Sequence, residues 1–303
     1  LESGRHKVSK IFVSIASYCD EELKDTVFSI LSRAKDISNI FLCVLSQEEP
    51  RKHQKIDQLI KSFGIKDFLF LKMDAKDARG VGYARAKILE NLSLDYKYFL
   101  QIDSHTQFVQ DWDEKVIQDY ERCILRWGDM IFSAYPGSYD YDESGNIKVN
   151  DRSVPTALRV QRTEFGAPTF YEPKYRNHNM SEFGDYHGYF CAGMAFGYSN
   201  YFLRVPYDKY MYFNGEEQTM SIRMFCNNIK LVAPPNNYLF HHYTGKKRRR
   251  HWENSAEWNR YDEMGKKRLL DFFENRINNI FGITDYEKYL EWQKMFVMEN
   301  RID

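Results

Sequence analysis

No apolar stretch in this 303-residue chain is long enough to cross a membrane, because charge interrupts every run well short of the roughly 18 residues a spanning helix needs. No signal-like segment precedes the first apolar run, so a cytoplasmic setting is expected. An excess of one charge is missing too. The 43 Lys and Arg balance the 43 Asp and Glu, which removes any global field toward nucleic acid or an anionic membrane. Paired cysteines are absent. Cys19, Cys43, Cys123, Cys191 and Cys226 contain no CxxC spacing, are odd in number and sit mostly in apolar runs. That pattern excludes a zinc ribbon and speaks for reduced, buried thiols rather than a disulfide framework.

What is present is a substantial core, with 43% hydrophobic and 16% aromatic residues in a length that suits one large α/β domain or two small ones. Leu1–Gly4 reads as a cloning scar, and residues 1–10 as a disordered lead-in. Beyond them, Ile11 to Ser17 is an apolar run ending in small polar residues, and Asp20-Glu21-Glu22 places acids in the first turn of a helix. The pattern repeats with a strand over Asn39 to Leu45, a helix over Lys52 to Phe63 and a strand over Asp67 to Met73. Such alternation implies a mostly parallel, Rossmann-like sheet flanked by helices, with ligands beyond the carboxyl ends of its strands.

The most informative run is Tyr98 to His105, a buried strand that ends abruptly in Asp103, Ser104 and His105. Residues two apart in an extended segment point the same way, so Asp103 and His105 can share one cation while Ser104 faces away. A carboxylate and an imidazole suit manganese or a related divalent ion, able to neutralise the diphosphate of a nucleotide. The same tripeptide could also be a plain Asx turn. Upstream, Asp77 to Lys87 opens a helix with glycines and cations, and Arg79 and Arg85 can hold phosphate there or fix a carboxylate that contacts a sugar.

Past a helix ending at Trp127 and a strand over Asp129 to Tyr135, the rhythm breaks. Pro136 to His187 is rich in Tyr, Asn, Asp, Gly and Pro, and a loop-rich insertion of that length commonly builds an acceptor site. His187 to Gly197 then reads as a strand approached closely by another group. Met211 to Phe225 gives an aromatic, a turn, the acid pair Glu216-Glu217 and a helix. Later, a strand ends in His241-His242-Tyr243, and since neighbours on a strand face opposite sides, at most one of these histidines joins Asp103 and His105. Lys246 to Arg250 is a run of five cations, readable as a solvated loop or as a lid over a diphosphate. Trp252 to Ile280 and Asp285 to Asn300 read as C-terminal helices packed on the sheet.

Taken in order, Arg79-Gly80-Val81-Gly82 with Arg85, Asp103-Ser104-His105, Phe213-Asn214-Gly215-Glu216-Glu217 with Ser221 and Arg223, and a late histidine resemble a known family. It is that of the GT-A glycosyltransferases of the polypeptide N-acetylglucosaminyltransferase type. Those enzymes modify hydroxyproline in a ubiquitin-ligase subunit and are related to the polypeptide N-acetylgalactosaminyltransferases. The resemblance spans Ile11 to Trp252 and implies a retaining transferase that uses Mn2+ (or Mg2+) and a UDP-sugar, UDP-GlcNAc, with a protein or glycan acceptor. It implies Asp103, His105 and His241 as metal ligands, His241 being preferred over His242 because family members carry a histidine two residues before Tyr. It further implies Glu216 as the donor-sugar residue, Phe213 as the aromatic of a mobile lid, and Arg79 and Arg85 as donor-side cations. Ser14, Ala16, Ser17, Gly82, Ser104 and Lys246 complete the expected donor contacts, and Asp103, Glu216 and Glu217 the expected catalytic set.

On this reading residues 11–135 form the nucleotide-sugar half of one GT-A domain, 136–245 its acceptor-side half, and 246–303 a basic loop and C-terminal helices. The chain departs from the galactosaminyl enzymes in having Phe213 in place of Trp and Glu217 in place of Asn, and in lacking a lectin-like tail. The acceptor's proton would pass to the departing phosphate oxygen; a rival course inverts, with Glu216 or Glu217 as general base. The alternative outside catalysis is a nucleotide-sugar or carbohydrate-binding protein on a degenerate transferase scaffold.

Overall fold

The computed structural model describes residues 11–150, 155, 159–164, 167–171, 182–244, 249–273 and 286–298. The first half runs β1 (Ile11–Tyr18), α1 (Leu23–Ser32), β2 (Ile40–Glu48), α2 (Pro50–Ser62), β3 (Phe68–Asp74) and α3 (Val81–Leu89). It continues with β4 (Tyr98–Asp103), β5 (Thr106–Phe108), α4 (Trp112–Trp127) and β6 (Met130–Ser133). The second half holds β7 (Gly137–Tyr141), β8 (Ile147–Val149), β9 (Arg159–Glu164), β10 (Ala167–Tyr171), β11 (Asp185–Tyr186) and β12 (Met194–Tyr198). After these come α5 (Ser199–Arg204), α6 (Glu216–Cys226), β13 (Lys230–Ala233), β14 (Leu239–His241), α7 (His251–Asn254), α8 (Trp258–Phe273) and α9 (Tyr286–Gln293).

Eight strands form the main sheet in the order β11-β13-β6-β12-β4-β1-β2-β3. β1 pairs in parallel with β2 and β4, β2 with β3, and β6 with β13, which is the doubly wound arrangement that alternating strands and helices dictate. β12 breaks it by running antiparallel between β4 and β6. A smaller sheet, β5-β14-β7-β8, leans on the end of β4.

The period of two along each strand divides the core. Ile11, Val13 and Ile15 of β1, with Tyr98, Leu100 and Ile102 of β4, join Val27, Trp112 and Tyr120 on one face. Phe12 and Phe99 join Ala84, Ile88, Phe202 and Met220 on the other. Burying each large apolar side chain contributes roughly 1.5–3 kcal/mol relative to leaving it exposed. The consequence for function is directional. Gln101 and Asp103 share the face of Phe99, so the tip of β4 looks toward α3 and α6.

Several elements differ from the expectations. α2 starts at Pro50, whose missing N–H costs nothing at the first helical position. Of the expected strand His187 to Gly197, only β12 is a strand. The preceding residues are pinned irregularly: the Phe190 amide donates to Ser221 Oγ at 2.7 Å, the Cys191 amide to Ser133 Oγ at 2.7 Å, and Trp292 Nε1 to the Gly188 carbonyl at 3.0 Å. The insertion after Pro136 is more structured than a loop, since β7 and β8 pair with each other and β7 with β14. The helix expected from Trp252 to Ile280 breaks at Ser255, and α8 begins only at Trp258. Ile277 and residues 1–10 lie outside the described residues. Behind the sheet, Leu269, Trp292 and Phe296 pack with Tyr189, Cys191 and Ile222, bracing the segment that leads into β12.

The start of α3 lies hard against residues 208–212. Gly80 has a φ of +91°, and a Cβ there would come within 2.0 Å of the Tyr212 carbonyl oxygen. A Cβ on Gly82 would lie 2.3 Å from the Met211 carbonyl oxygen and 2.8 Å from that of Asp208. Alanine in a helix gains about 1 kcal/mol over glycine, whereas overpacking against a backbone costs about 1–3 kcal/mol. The clash wins, so Gly82→Ala is expected to lower the midpoint of urea unfolding. An unchanged or higher midpoint would contradict this tight approach.

Candidate active site

Three side chains meet where β4 ends. Asp103 is the last residue of β4, His105 lies just beyond it, and His241 ends β14, whose antiparallel register sets His241 opposite Thr106. The His242 amide donates to the His105 carbonyl at 3.1 Å and fixes that alignment. The rings of His105 and His241 lie 4.5 Å apart, and His241 Nε2 is 3.1 Å from Asp103 Oδ2. One ligand atom from each of Asp103, His105 and His241 falls within 4.8 Å of the others. A hard carboxylate oxygen with two imidazole nitrogens is a donor set that fits manganese or a related divalent cation.

The histidines are oriented from behind. Asp20 Oδ2 accepts from His105 Nδ1 at 2.6 Å and from Ser104 Oγ at 2.7 Å, which leaves His105 Nε2 as the lone-pair nitrogen. Burial pushes the Asp20 carboxyl up, but these bonds outweigh it and hold the group below its ordinary range. His242 turns the other way, as strand alternation requires. Its Nδ1 lies 2.9 Å from Glu22 Oε1, and its ring stacks on Tyr139 at 5.2 Å. The sequence pattern alone makes Asp20 and Glu22 helix-start acids; three acids directly after the first strand of a parallel sheet are the signal that points to more.

Arg85 enters from the buried face of α3. Its Nη1 donates to both oxygens of Glu216, at 2.7 and 2.6 Å, and its Nη2 to Asp103 Oδ1 at 2.8 Å. Of its two expected roles, Arg85 therefore takes the one of fixing a carboxylate. Burial alone would raise the Asp103 carboxyl, but the His241 hydrogen bond and the Arg85 guanidinium hold it well below the usual carboxylate range. Glu217, one residue on, has a different environment. Its Oε1 accepts from the Ala192 amide at 2.8 Å and its Oε2 from the Tyr135 hydroxyl at 2.7 Å. Burial pushes Glu217 up to about 7.

These groups line a cavity of about 500 Å³, which also touches Ala16, Ser104 and Phe213. Phe213 is half exposed at its rim. Ser14 and Ser17 are buried within β1 and are not among the lining residues, nor is Gly82, which packs against the 208–212 backbone. Arg79 is exposed, its guanidinium 5.3 Å from the Tyr83 ring, and also lies off the cavity. Lys246 lies outside the described residues. The cations that do line the cavity from that segment are Arg249 and Arg250, and Arg249 Nη1 reaches Glu49 at 3.4 Å. Among the described residues no helix is long and apolar enough to cross a membrane.

A doubly wound sheet whose central strand ends in a carboxylate, with two histidines and a buried Arg–Glu pair around one cavity, is the architecture of a GT-A glycosyltransferase. The chain matches the family model "Glycosyltransferase (GlcNAc)" over residues 10–65 and 52–299, and belongs to that family. Among solved structures it is similar to GalNAc-T7 with UDP, GalNAc and Mn2+, with a TM-score of 0.58 and 14% identity over 95% of this chain and 54% of the other. It thus spans about half of that protein's length. It is also similar to the mannosyltransferase PcManGT from Pyrobaculum calidifontis in complex with GDP-Man and Mn2+, with a TM-score of 0.51 and 7% identity over 88% and 74% of the two chains. No curated protein matches it significantly.

Removing the group that orients a metal-binding histidine typically costs about 10–100-fold in affinity. Asp20→Asn is therefore expected to weaken Mn2+ binding by about 10-fold or more in isothermal titration calorimetry, without donor present. Affinity equal to that of the parent protein would show that Asp20 does not orient His105.

Proposed function

We propose that this chain is a metal-dependent, retaining transferase that moves GlcNAc from UDP-GlcNAc to a hydroxyl of a protein or glycan, of the type that acts on hydroxyproline. The observation that carries the reading is the meeting of Asp103, His105 and His241 on the floor of a cavity whose next wall holds Arg85 and Glu216. The family's own description names the sugar, and GalNAc-T7 and PcManGT are structures with a nucleotide and Mn2+. Five free thiols, four of them buried, accord with a reducing, cytoplasmic setting.

Asp103, His105 and His241 would hold Mn2+ or Mg2+, which supplies charge neutralisation for the leaving diphosphate. The remaining work belongs to the protein. Glu216, clamped by Arg85 so that its two oxygens cannot swing, binds hydroxyls of the donor sugar. Arg249 and Arg250 meet the diphosphate from the rim, and preorganised charge of this kind is usually the largest single term in lowering the barrier. The nucleotide lies over the ends of β1 and β2, toward Ala16 and Ser104, and the acceptor enters from the side of residues 136–245. The acceptor hydroxyl attacks from the face the phosphate leaves, and its proton passes to the departing phosphate oxygen.

Incubation with Mn2+ and UDP-GlcNAc is expected to release UDP slowly, and Asp103→Ala to abolish that release. The variant should still fold, because Arg85 keeps both bonds to Glu216. A parent protein that binds UDP-GlcNAc but releases no UDP with any acceptor would leave only a binding protein, and normal turnover by Asp103→Ala would remove the metal site. Proton NMR of the product decides the stereochemistry: an α linkage is expected from the α donor, and a β linkage would end the retaining course.

A further inference from the structure

We propose that Glu217, held by Tyr135 and the Ala192 amide, seats the acceptor hydroxyl. The inference rests on the transferase reading above and adds the group that binds the second substrate.

The sheet order separates two sides of the cavity. Ala16, Tyr18 and Gln47 lie at the ends of β1 and β2, on one side of β4. Tyr135 follows β6 and Ala192 precedes β12, both on the other side, and Glu217 joins them from α6. The first side is where a doubly wound sheet receives a nucleotide, which leaves the second for the acceptor. Glu217 is thus next to the donor-sugar residue in sequence yet turned to the opposite substrate.

Its hydrogen bonding fits that place. A carboxylate offers about four lone-pair sites; Glu217 spends one on the Ala192 amide and one on Tyr135, so each oxygen keeps capacity for a further donor. Asp103 and Glu216 are both bonded to Arg85, and Asp20 to His105, whereas Glu217 has no ion pair among the described residues. A purely structural role would be met by glutamine, whose oxygen could accept the amide and whose nitrogen could donate to the phenol. An acid without a cation in a partly desolvated wall gives nothing to stability that an amide would not, but it gives a stronger acceptor for an incoming O–H.

In the reaction, the acceptor hydroxyl donates to Glu217, which aims an oxygen lone pair at the anomeric carbon. The new carbon–oxygen bond forms as the bond to the phosphate oxygen breaks with its electron pair leaving on UDP, and the acceptor's one proton then turns from Glu217 onto that phosphate oxygen. Glu217 keeps its charge throughout. The seat works only while Glu217 is ionised. Burial and Glu216 raise its pKa, to about 7, while the Ala192 amide, Tyr135 and Arg85 pull it down. Cys191 and Tyr243 are the other titratable groups beside this wall; burial pushes the Cys191 thiol far up, and Tyr243 donates its hydroxyl to the Pro136 carbonyl. Transfer is therefore lost as pH falls through the pKa of Glu217 and is full above it.

The test follows UDP release from UDP-GlcNAc with Mn2+ against pH, with water and with a 4-hydroxyproline peptide as acceptors, alongside calorimetric UDP-GlcNAc affinity. Glu217→Gln is expected to cut kcat by about 10-fold or more, the scale of losing one hydrogen bond to a charged group, to remove the acidic limb, and to leave donor affinity within about 2-fold. Tyr135→Phe, which deletes a bond that lowers the pKa, should keep most activity at high pH and move the limb upward. A limb that survives Glu217→Gln, or a donor affinity that falls in parallel with kcat, would overturn the assignment. If the parent protein binds UDP-GlcNAc yet neither hydrolyses nor transfers it, the transferase reading fails and this inference falls with it.

Discussion

Arg85 carries a full positive charge to a position only 4% exposed, and a cation so stripped of water is tolerated because Glu216 and Asp103 meet it from two directions. Burial alone would lower its pKa, but the two carboxylates raise it beyond any accessible pH. Removing one partner of such a buried pair typically costs about 3–5 kcal/mol. The bridge therefore ties together elements far apart in the chain: the tip of β4, the helix α3 and the first turn of α6. It also explains the two glycines that open α3. The helix must lie against the 208–212 backbone to bring Arg85 within reach of Glu216, and any side chain at Gly80 or Gly82 would hold it away.

Around this bridge two of the fold's departures from a purely parallel sheet serve the site. An antiparallel β12 brings the start of its strand, rather than the end, beside Asp103, so the residues that precede it can supply Ala192 to the cavity. The small sheet does the same for His105 and His241. β14 runs antiparallel to β5, and the turn between β4 and β5 sets His105 beside the residue that faces His241. Both devices place irregular backbone at the open end of β4, and side-chain bonds from Ser133, Ser221 and Thr26 hold that backbone in addition to the ladders.

The alternation of apolar runs with amphipathic stretches made the first 90 residues readable, since β1, β2 and β3 are seven to nine residues long and each leads into a helix. Asp103 and His105 were legible for a simple reason: polar groups closing an otherwise apolar strand have no packing role to fill. The choice of His241 over His242 followed from strand alternation together with the family pattern, and the two rings do diverge, one toward Asp103 and the other toward Glu22. Three-dimensional partnerships were not legible. Nothing in the sequence says that Arg85 spends its donors on acids 18 and 131 positions away, or that Tyr135 is the partner of Glu217 among so many tyrosines. The short strand β7 escaped because five residues containing Gly, Asp and Tyr carry no measurable period, whereas the strand ending at His241 was expected.

Consecutive residues on a helix are about 100° apart, so Glu216 and Glu217 could never serve the same partner, and the structure gives each a different electrostatic state. Glu216 faces a buried guanidinium; Glu217 faces a phenol and an amide, donors that stabilise a carboxylate less than a cation does. The charge balance of the cavity floor follows. Asp20, Asp103, Glu216 and an ionised Glu217 stand against Arg85, which leaves three negative charges around the cavity, one more than a divalent cation would neutralise. A lining of that charge, even with one divalent cation bound, would not by itself attract a diphosphate. On the proposed function, attraction would then fall to Arg249 and Arg250 at the rim, cations whose fields are screened by solvent and salt when the cavity is open and would strengthen as a ligand displaces water.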